Sequence, residues 1–384
     1  MPIDFFSLPR PLSPADEANG AGWLSQTQGL VLVKHRRPEV WHFLLRFGPD
    51  LSRVRGALAG LPLKSVVDLR SPRTAGQPTD TAAFVGFSSA GLAKLGGPRM
   101  AKPFQEGFRK RSAGPLSGPA QGWRGHWAGD RFDAIVVAEA GTEQDLNDLG
   151  TALSNSGAFQ AIALEKRVHV PHPTNRPAEH SGFVDGVSQP AFFADDLNPP
   201  QGPPISNFNP AVPLSVILFR DPVCPNREDC FGSHLAYIRI EQNMVEFNKL
   251  ANPHCLVGRN RDGSPLVPGT AHEDDFTRAS DPRGQHWAIG SHISKMNPRD
   301  GLEPNSRIFR QGVAYQDGAE KGLLFLSFQA FLDAQFELLF KVWASNPHHP
   351  RQDAGVDPIL TKALTTVRGG EYFYFPSIPG VTRL

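Results

Sequence analysis

Cysteine is scarce in this chain. Three of 384 residues, Cys224, Cys230 and Cys255, do not make a disulfide framework, and so low a number fits a reducing compartment. Long apolar runs are missing too: none reaches the roughly 20 residues of a membrane-spanning helix. Between Met1 and Asp16 there is no charged stretch leading into an apolar run and no twin-Arg signal, so a cytoplasmic location is expected. Neither sign of charge dominates. With 39 Lys and Arg against 38 Asp and Glu, and no long basic run, neither nucleic acid nor a membrane is an expected partner. A Gly-rich phosphate loop, a Gly-Xaa-Ser-Xaa-Gly elbow and a His-Glu-Xaa-Xaa-His pair are all absent, which points away from the chemistries those motifs serve.

What is present is a globular composition, 40% hydrophobic and 20% charged, in a chain long enough for two domains. Glycine (37) and proline (36) are abundant, which implies many turns and long irregular connections. Residues 1–22 read as an irregular arm. After it, Gly29–Val33 and Trp41–Phe47 read as strands, and Asp50–Leu61 as a helix capped by Asp50. Phe84–Phe87 is a strand, Ser88–Leu95 a helix, Ala134–Ala138 a strand, Glu143–Ser154 a helix, and Phe159–Val170 closes with strand character. This order is that of a ferredoxin-like unit, and it places a first domain at 23–180. A Pro- and Gly-rich connection at 181–210 follows. A second unit, 211–384, has strands at Leu214–Arg220, His234–Gln242, Leu323–Phe328 and Tyr372–Phe375. Its helices fall at Glu246–Asn252 and Phe331–Ala344, and a loop-rich excursion runs from Phe276 to Arg310. The expected class is α+β, two ferredoxin-like domains with antiparallel sheets.

Three stretches carry chemistry. In Gly182-Phe183-Val184-Asp185-Gly186 an acid stands in a tight turn between glycines. Gly290-Ser291-His292-Ile293-Ser294-Lys295-Met296-Asn297-Pro298-Arg299 supplies a histidine, and Arg307-Ile308-Phe309-Arg310-Gln311-Gly312 an arginine eighteen positions after it. An acid, a lone imidazole and a guanidinium are the groups a haem peroxidase needs. Taken singly, each has a plainer role: a turn former, a core histidine, a surface ion pair.

Together, in this order and spacing, the three segments resemble those of the dye-decolorizing peroxidases. The likeness continues in Gly322–Ala330, Gln335-Phe336-Glu337 and Gly369–Phe373, with weaker echoes at Gln28-Gly29 and Phe87–Leu92, and so spans most of the chain. The resemblance implies haem b held between sheet and helices, with His292 as axial iron ligand. It implies that Asp185 shuttles the proton of hydrogen peroxide on the other haem face and that Arg310 stabilises the charge as the O–O bond breaks. Small or bulky aromatic donors, dyes and phenolics, would then be oxidised by one-electron steps through a ferryl intermediate, best at acidic pH. The alternative is a haem-binding or haem-transfer protein without significant turnover, for which neither Asp185 nor Arg310 is needed.

Leu323 and Phe325, alternating on one strand, are expected to line the haem pocket, although ordinary core is an equal reading. Glu337 is expected at the cofactor, where either it or Asp333 would take the second ring N–H of His292. Arg307 competes with Arg310. Ser294 departs from the resemblance, which has arginine there for a haem propionate. Lys295, Arg299 or another base would then substitute, and Ser294→Arg would tighten haem binding. Large donors would pass electrons through a surface Trp or Tyr, with Trp287 and Tyr315 nearest the motifs. Cys224-Pro225 as a haem-regulatory thiolate, a zinc set of Cys224, Cys230, His254 and Cys255, and the His169/His172 pair are weak signals.

Overall fold

Glu39–Phe47 (β1) carries bulky side chains along one pleated strand, and all but Glu39 and Arg46 are buried. Helix α1 (Leu51–Ala59) follows; the Asp50 carboxylate caps it by accepting from Ser52 N at 3.0 Å and Arg53 N at 3.2 Å. Then come β2 (Ala82–Phe87), α2 (Lys102–Arg111), β3 (Ala134–Ala140), α3 (Glu143–Asn155) and β4 (Phe159–Lys166). The strands pair in the order β4-β1-β3-β2, all antiparallel, with Leu44 opposite Ile135 and Ala163. The computed structural model describes residues 8, 11–71, 78–112, 122–129, 131–197, 208–267, 276–301, 304–361 and 363–384.

The second unit repeats that logic. Its elements are β5 (Phe219–Arg220), β6 (Phe231–Gln242), α4 (His292–Met296), β7 (Phe309–Arg310), β8 (Val313–Asp317), β9 (Glu320–Gln329), α5 (Leu332–Trp343, wound as a π-helix) and β10 (Thr365–Phe375). The order β10-β6-β9-β7 is the same 4-1-3-2 arrangement, with the long segment between β6 and β7 in place of the first helix. The fold is therefore two ferredoxin-like α+β units. They merge into one ten-stranded sheet at β2–β10, where Tyr374 stands opposite Phe87. Gly86 permits the join: a Cβ there would lie 2.2 Å from the Phe375 ring. No helix among the described residues is long and apolar enough to cross a membrane.

Several local expectations fail for identifiable reasons. Gly29–Val33 is not a strand, because Val33 N bonds back to Gly29 O and the chain closes a 3-10 turn over Gly29–Val31. In Leu214–Arg220 a second such turn, Leu214–Val216, leaves only β5 extended. The arm is not wholly irregular: Ser13 and Asp16 form a reciprocal capping box that starts a helix over Pro14–Asn19. Helix α2 escaped notice because Gly107, at φ 73, interrupts its apolar spacing. Residues 1–7, 9 and 10 of the arm and 198–207 of the expected connection lie outside the described residues.

Candidate functional site

His292 opens α4, whose first turn is capped by Ser291. Its Nδ1 lies 2.8 Å from Asp357 Oδ2. Asp357 is fully buried, and its other oxygen accepts the N–H groups of Ile359 (2.9 Å) and Leu360 (2.8 Å). Burial would push this carboxyl up, but the His292 ring and the two N–H donors win and hold it below its ordinary value. Burial likewise opposes charge on His292, yet Asp357 raises its pKa overall. Since Nδ1 points into a closed carboxylate, the exposed 27% of the ring is its Nε2 side, and His292 borders a large cavity. A histidine so held presents an oriented, electron-rich Nε2, which is the form a metal binds.

Asp185 reaches the same cavity from a small loop. An Ala178–Val184 bridge and the bond from Glu179 N to Phe183 O close it, with Gly182 at φ 78 and Gly186 at φ 77. Asp185 Oδ1 accepts from Gly186 N at 2.6 Å. The arginine is clamped to this loop. Gln189 Nε2 donates to Arg310 O (3.0 Å), Arg310 N donates to Gln189 Oε1 (3.1 Å), and Arg310 Nη2 donates to Val187 O (2.7 Å). Arg307 also borders the cavity, but its guanidinium turns to Asn209 O at 2.9 Å and the Phe208 ring, so Arg310 is the arginine tied to the acid's loop. A second carboxylate, Glu179, faces the cavity and accepts from Gln242 Nε2 at 2.6 Å. Burial and the neighbouring Asp185 charge push its pKa up to about 7.

The cavity lies between β6 and β9 on one side and α4 and α5 on the other. Its volume is about 240 Å³, and it is lined along its length by residues of both the sheet and the helices. Its walls are apolar, including Leu323, Phe325, Phe336 and Phe340, with Arg259 and Arg299 also present. Gly312 leaves room beside the acid: a Cβ there would sit 3.6 Å from Asp185 Oδ2 and 3.4 Å from Leu323. A single oriented imidazole, broad apolar walls and guanidinium groups for carboxylates fit haem.

Some expected residues do otherwise. Glu337 does not border the cavity or hold His292. Arg111 grips it with two bonds of 2.6 Å and Tyr372 OH donates to it at 2.8 Å, while Asp357 does the orienting. Asp333 is exposed and accepts only from Ala334 N among the described residues. Lys295 is buried among the carbonyls of Asn346, His349 and Gly355, away from the cavity. Ser294 is fully buried and accepts from Arg278 Nη2 at 2.6 Å, so an arginine there would have to displace a guanidinium already in place. Cys224 and Cys230 are buried and Cys255 is exposed, and no zinc set is assembled among the described residues. Asp357 and Glu179 were missed. Asp357 follows His292 by 65 residues in a Val-Asp-Pro turn without periodicity; Glu179, six before Asp185, had only its nearness to the loop as a signal.

Known proteins resemble this chain in sequence and fold. Residues 221–379 match the family described as Dyp-type peroxidase, C-terminal. The multifunctional dye peroxidase DyP2 of Amycolatopsis sp. is 27% identical across 98% of this chain and 99% of its own. The dye-decolorizing peroxidase msp1 of Mycetinis scorodonius is 24% identical across 97% and 90%. Among solved structures, Amycolatopsis DyP2 superposes with a TM-score of 0.87 at 26% identity, covering 98% of this chain and 100% of that one. The chain is thus similar along nearly its whole length to dye-decolorizing peroxidases, and its residues 221–379 match the C-terminal model of that family.

Proposed function

We propose that the chain is a haem peroxidase in which His292 ligates the iron, Asp185 moves the proton and Arg310 stabilises the developing charge. The observation that carries this reading is one cavity bordered by three groups: an imidazole locked by Asp357, a carboxylate on a glycine turn, and an arginine clamped to that turn. Haem b, when bound, supplies the iron that takes up oxygen from peroxide and stores its two oxidising equivalents. The chain's part is positional and electrostatic. Asp185 accepts a proton from the near oxygen of hydrogen peroxide and returns it to the far oxygen as water leaves. Arg310, always charged, favours the negative charge that grows on the departing oxygen. Arg259, Arg299 and Arg307 border the cavity and are the candidates to meet haem carboxylates. Leu323 and Phe325 keep the pocket dry. The donor is a phenolic or dye-like aromatic, and the site of action is the cytoplasm. Haem carriage alone would not need the Gln189 clamp that fixes Arg310 beside the acid.

Glu179 adds a pH limit. Below about 7 it is neutral, leaving Asp185 as the only negative side chain of that pair. As pH rises through that value a second anion appears beside the first and opposes the charge separation Arg310 assists. Activity is therefore highest on the acid side.

Four results are expected. Asp185→Asn lowers kcat/KM for peroxide by about 10²–10⁴-fold, and Arg310→Leu by about 10²–10³-fold, in steady-state assays with a phenolic donor. Asp357→Asn weakens hemin binding to the apoprotein by roughly 10–100-fold in an absorbance titration. Glu179→Gln, which keeps shape but cannot ionise, moves the falling limb of the pH–rate profile above neutrality, whereas an unmoved limb would remove Glu179 from the account.

A further inference from the structure

Lys295 stands one turn after His292 on α4 and is fully buried. A lysine is almost never so deep unless a partner meets its charge. No carboxylate contacts this ammonium among the described residues. Three backbone carbonyls do: Asn346 O at 2.9 Å, Gly355 O at 2.7 Å, and His349 O. An ammonium has three N–H donors, one for each carbonyl. The contact also runs the other way. His349 Nε2 donates to Lys295 O at 3.1 Å, and the His349 ring stacks on Trp343, centroids 4.4 Å apart. Burial lowers the Lys295 pKa, and the Asp357 charge works against that.

All three carbonyls belong to one loop, 345–356, which leaves the end of α5 and returns at Asp357. Asp357 N donates to Ala344 O at 2.7 Å and closes the loop at its base. Asn346 N reaches back to Val342 O at 3.1 Å, and Gly355 N bonds Pro347 O across the loop at 2.9 Å. Residues 346–356 contain no helix or strand, so their shape depends on such bonds and on the ammonium. The loop meets α4 on both sides of His292. On one side Ala354 O presses on Gly290, where a Cβ would sit 2.3 Å away. On the other, Lys295 draws together the outgoing arm, through Asn346 and His349, and the returning arm, through Gly355. Gly355 has φ 80 and lies two residues before Asp357. Ile359 N and Leu360 N hold the Asp357 carboxylate from the chain that follows it. Lys295 holds the chain that precedes it.

We propose that Lys295 is a positioning residue for the haem site: its ammonium is a built-in cation that folds the 345–356 loop onto α4 and so keeps Asp357 on His292 Nδ1. It does what a bound monovalent metal ion would do in a ring of carbonyls. Without it, three converging carbonyl dipoles lose their common donor and repel one another. The loop then opens to find other donors, and Asp357 moves with it. His292 loses the partner that sets its tautomer and basicity, although neither residue of that pair has changed. The influence of Lys295 on the site therefore passes through Asp357. This rests on the reading of His292 as the haem ligand.

A double-mutant cycle tests this. Hemin is titrated into the apoprotein of wild type, Lys295→Ala, Asp357→Asn and the double variant, in buffer whose cation is choline, which has no N–H to donate. Lys295→Ala is expected to weaken binding about tenfold or more. In the Asp357→Asn background it is expected to add no more than about twofold, because the two changes remove one interaction. Propylammonium replaces the atoms that Lys295→Ala removes. It is expected to restore hemin affinity to Lys295→Ala and not to the double variant, whereas uncharged propan-1-ol restores neither. In isotope-labelled apoprotein the NMR signal of the His292 Nδ1–H is expected to move in Lys295→Ala as it does in Asp357→Asn, and to return with propylammonium. Should Lys295→Ala fail to fold, Lys295→Met, close to lysine in length, carries the same cycle. Unchanged hemin binding in Lys295→Ala, an equal loss in both backgrounds, or equal rescue by propan-1-ol overturns this proposal alone. Hemin binding untouched by Asp357→Asn overturns the reading of the His292–Asp357 pair on which it stands.

Discussion

The site depends on one hydrogen-bonded pair, His292 Nδ1 to Asp357. A free imidazole at the mouth of a five-residue helix could turn either nitrogen inward. Asp357 removes that choice, because it is fully buried, fixed by two backbone N–H donors, and left with one oxygen for the ring. The cost of burying a carboxylate is offset only while the partner ring is there. The same contact therefore sets tautomer, orientation and basicity together.

Around that pair the fold brings two distant halves into register. The 3-10 turn at Gly29–Val31 is not core filler, since Gln311 donates to Leu30 O and Val33 O, both at 2.8 Å, and Lys34 Nζ donates to Gly186 O at 2.9 Å. The first unit thus braces the Asp185 loop and the residue after Arg310. Gln189 completes the brace from the other side. The acid and the arginine are positioned as one body rather than as two independent side chains, which is how a preorganised charge site avoids reorganising during reaction. Glu337 and Arg111 have a parallel structural role: they pin α5 to α2 while holding the hydroxyl of Tyr372.

Much of this was legible in the residues. Strand and helix order revealed both ferredoxin-like units, because apolar runs mark the buried strands β1 and β3 and helical spacing of apolar residues marks α1 and α3. The glycines flanking Asp185 announced left-handed backbone, and both adopt it. What stayed hidden was tertiary. Glu337, like Asp333, stood on a later helix as an expected partner of His292, yet it is claimed by Arg111, 226 positions away. The union of the two sheets hangs on the space Gly86 leaves for Phe375, which no local pattern encodes. The 3-10 turn at Gly29 reads as a strand because its residues are apolar for burial, not for pleating.

The central claim is that Nε2 of His292 holds iron in the cavity that Asp185 and Arg310 also face. A crystal structure of the protein reconstituted with hemin tests it most directly. The account predicts iron bonded to His292 Nε2, Asp357 still on Nδ1, and the Asp185 and Arg310 side chains at the iron's remaining open position. Hemin ligated by another residue, or lodged outside this cavity, would contradict it.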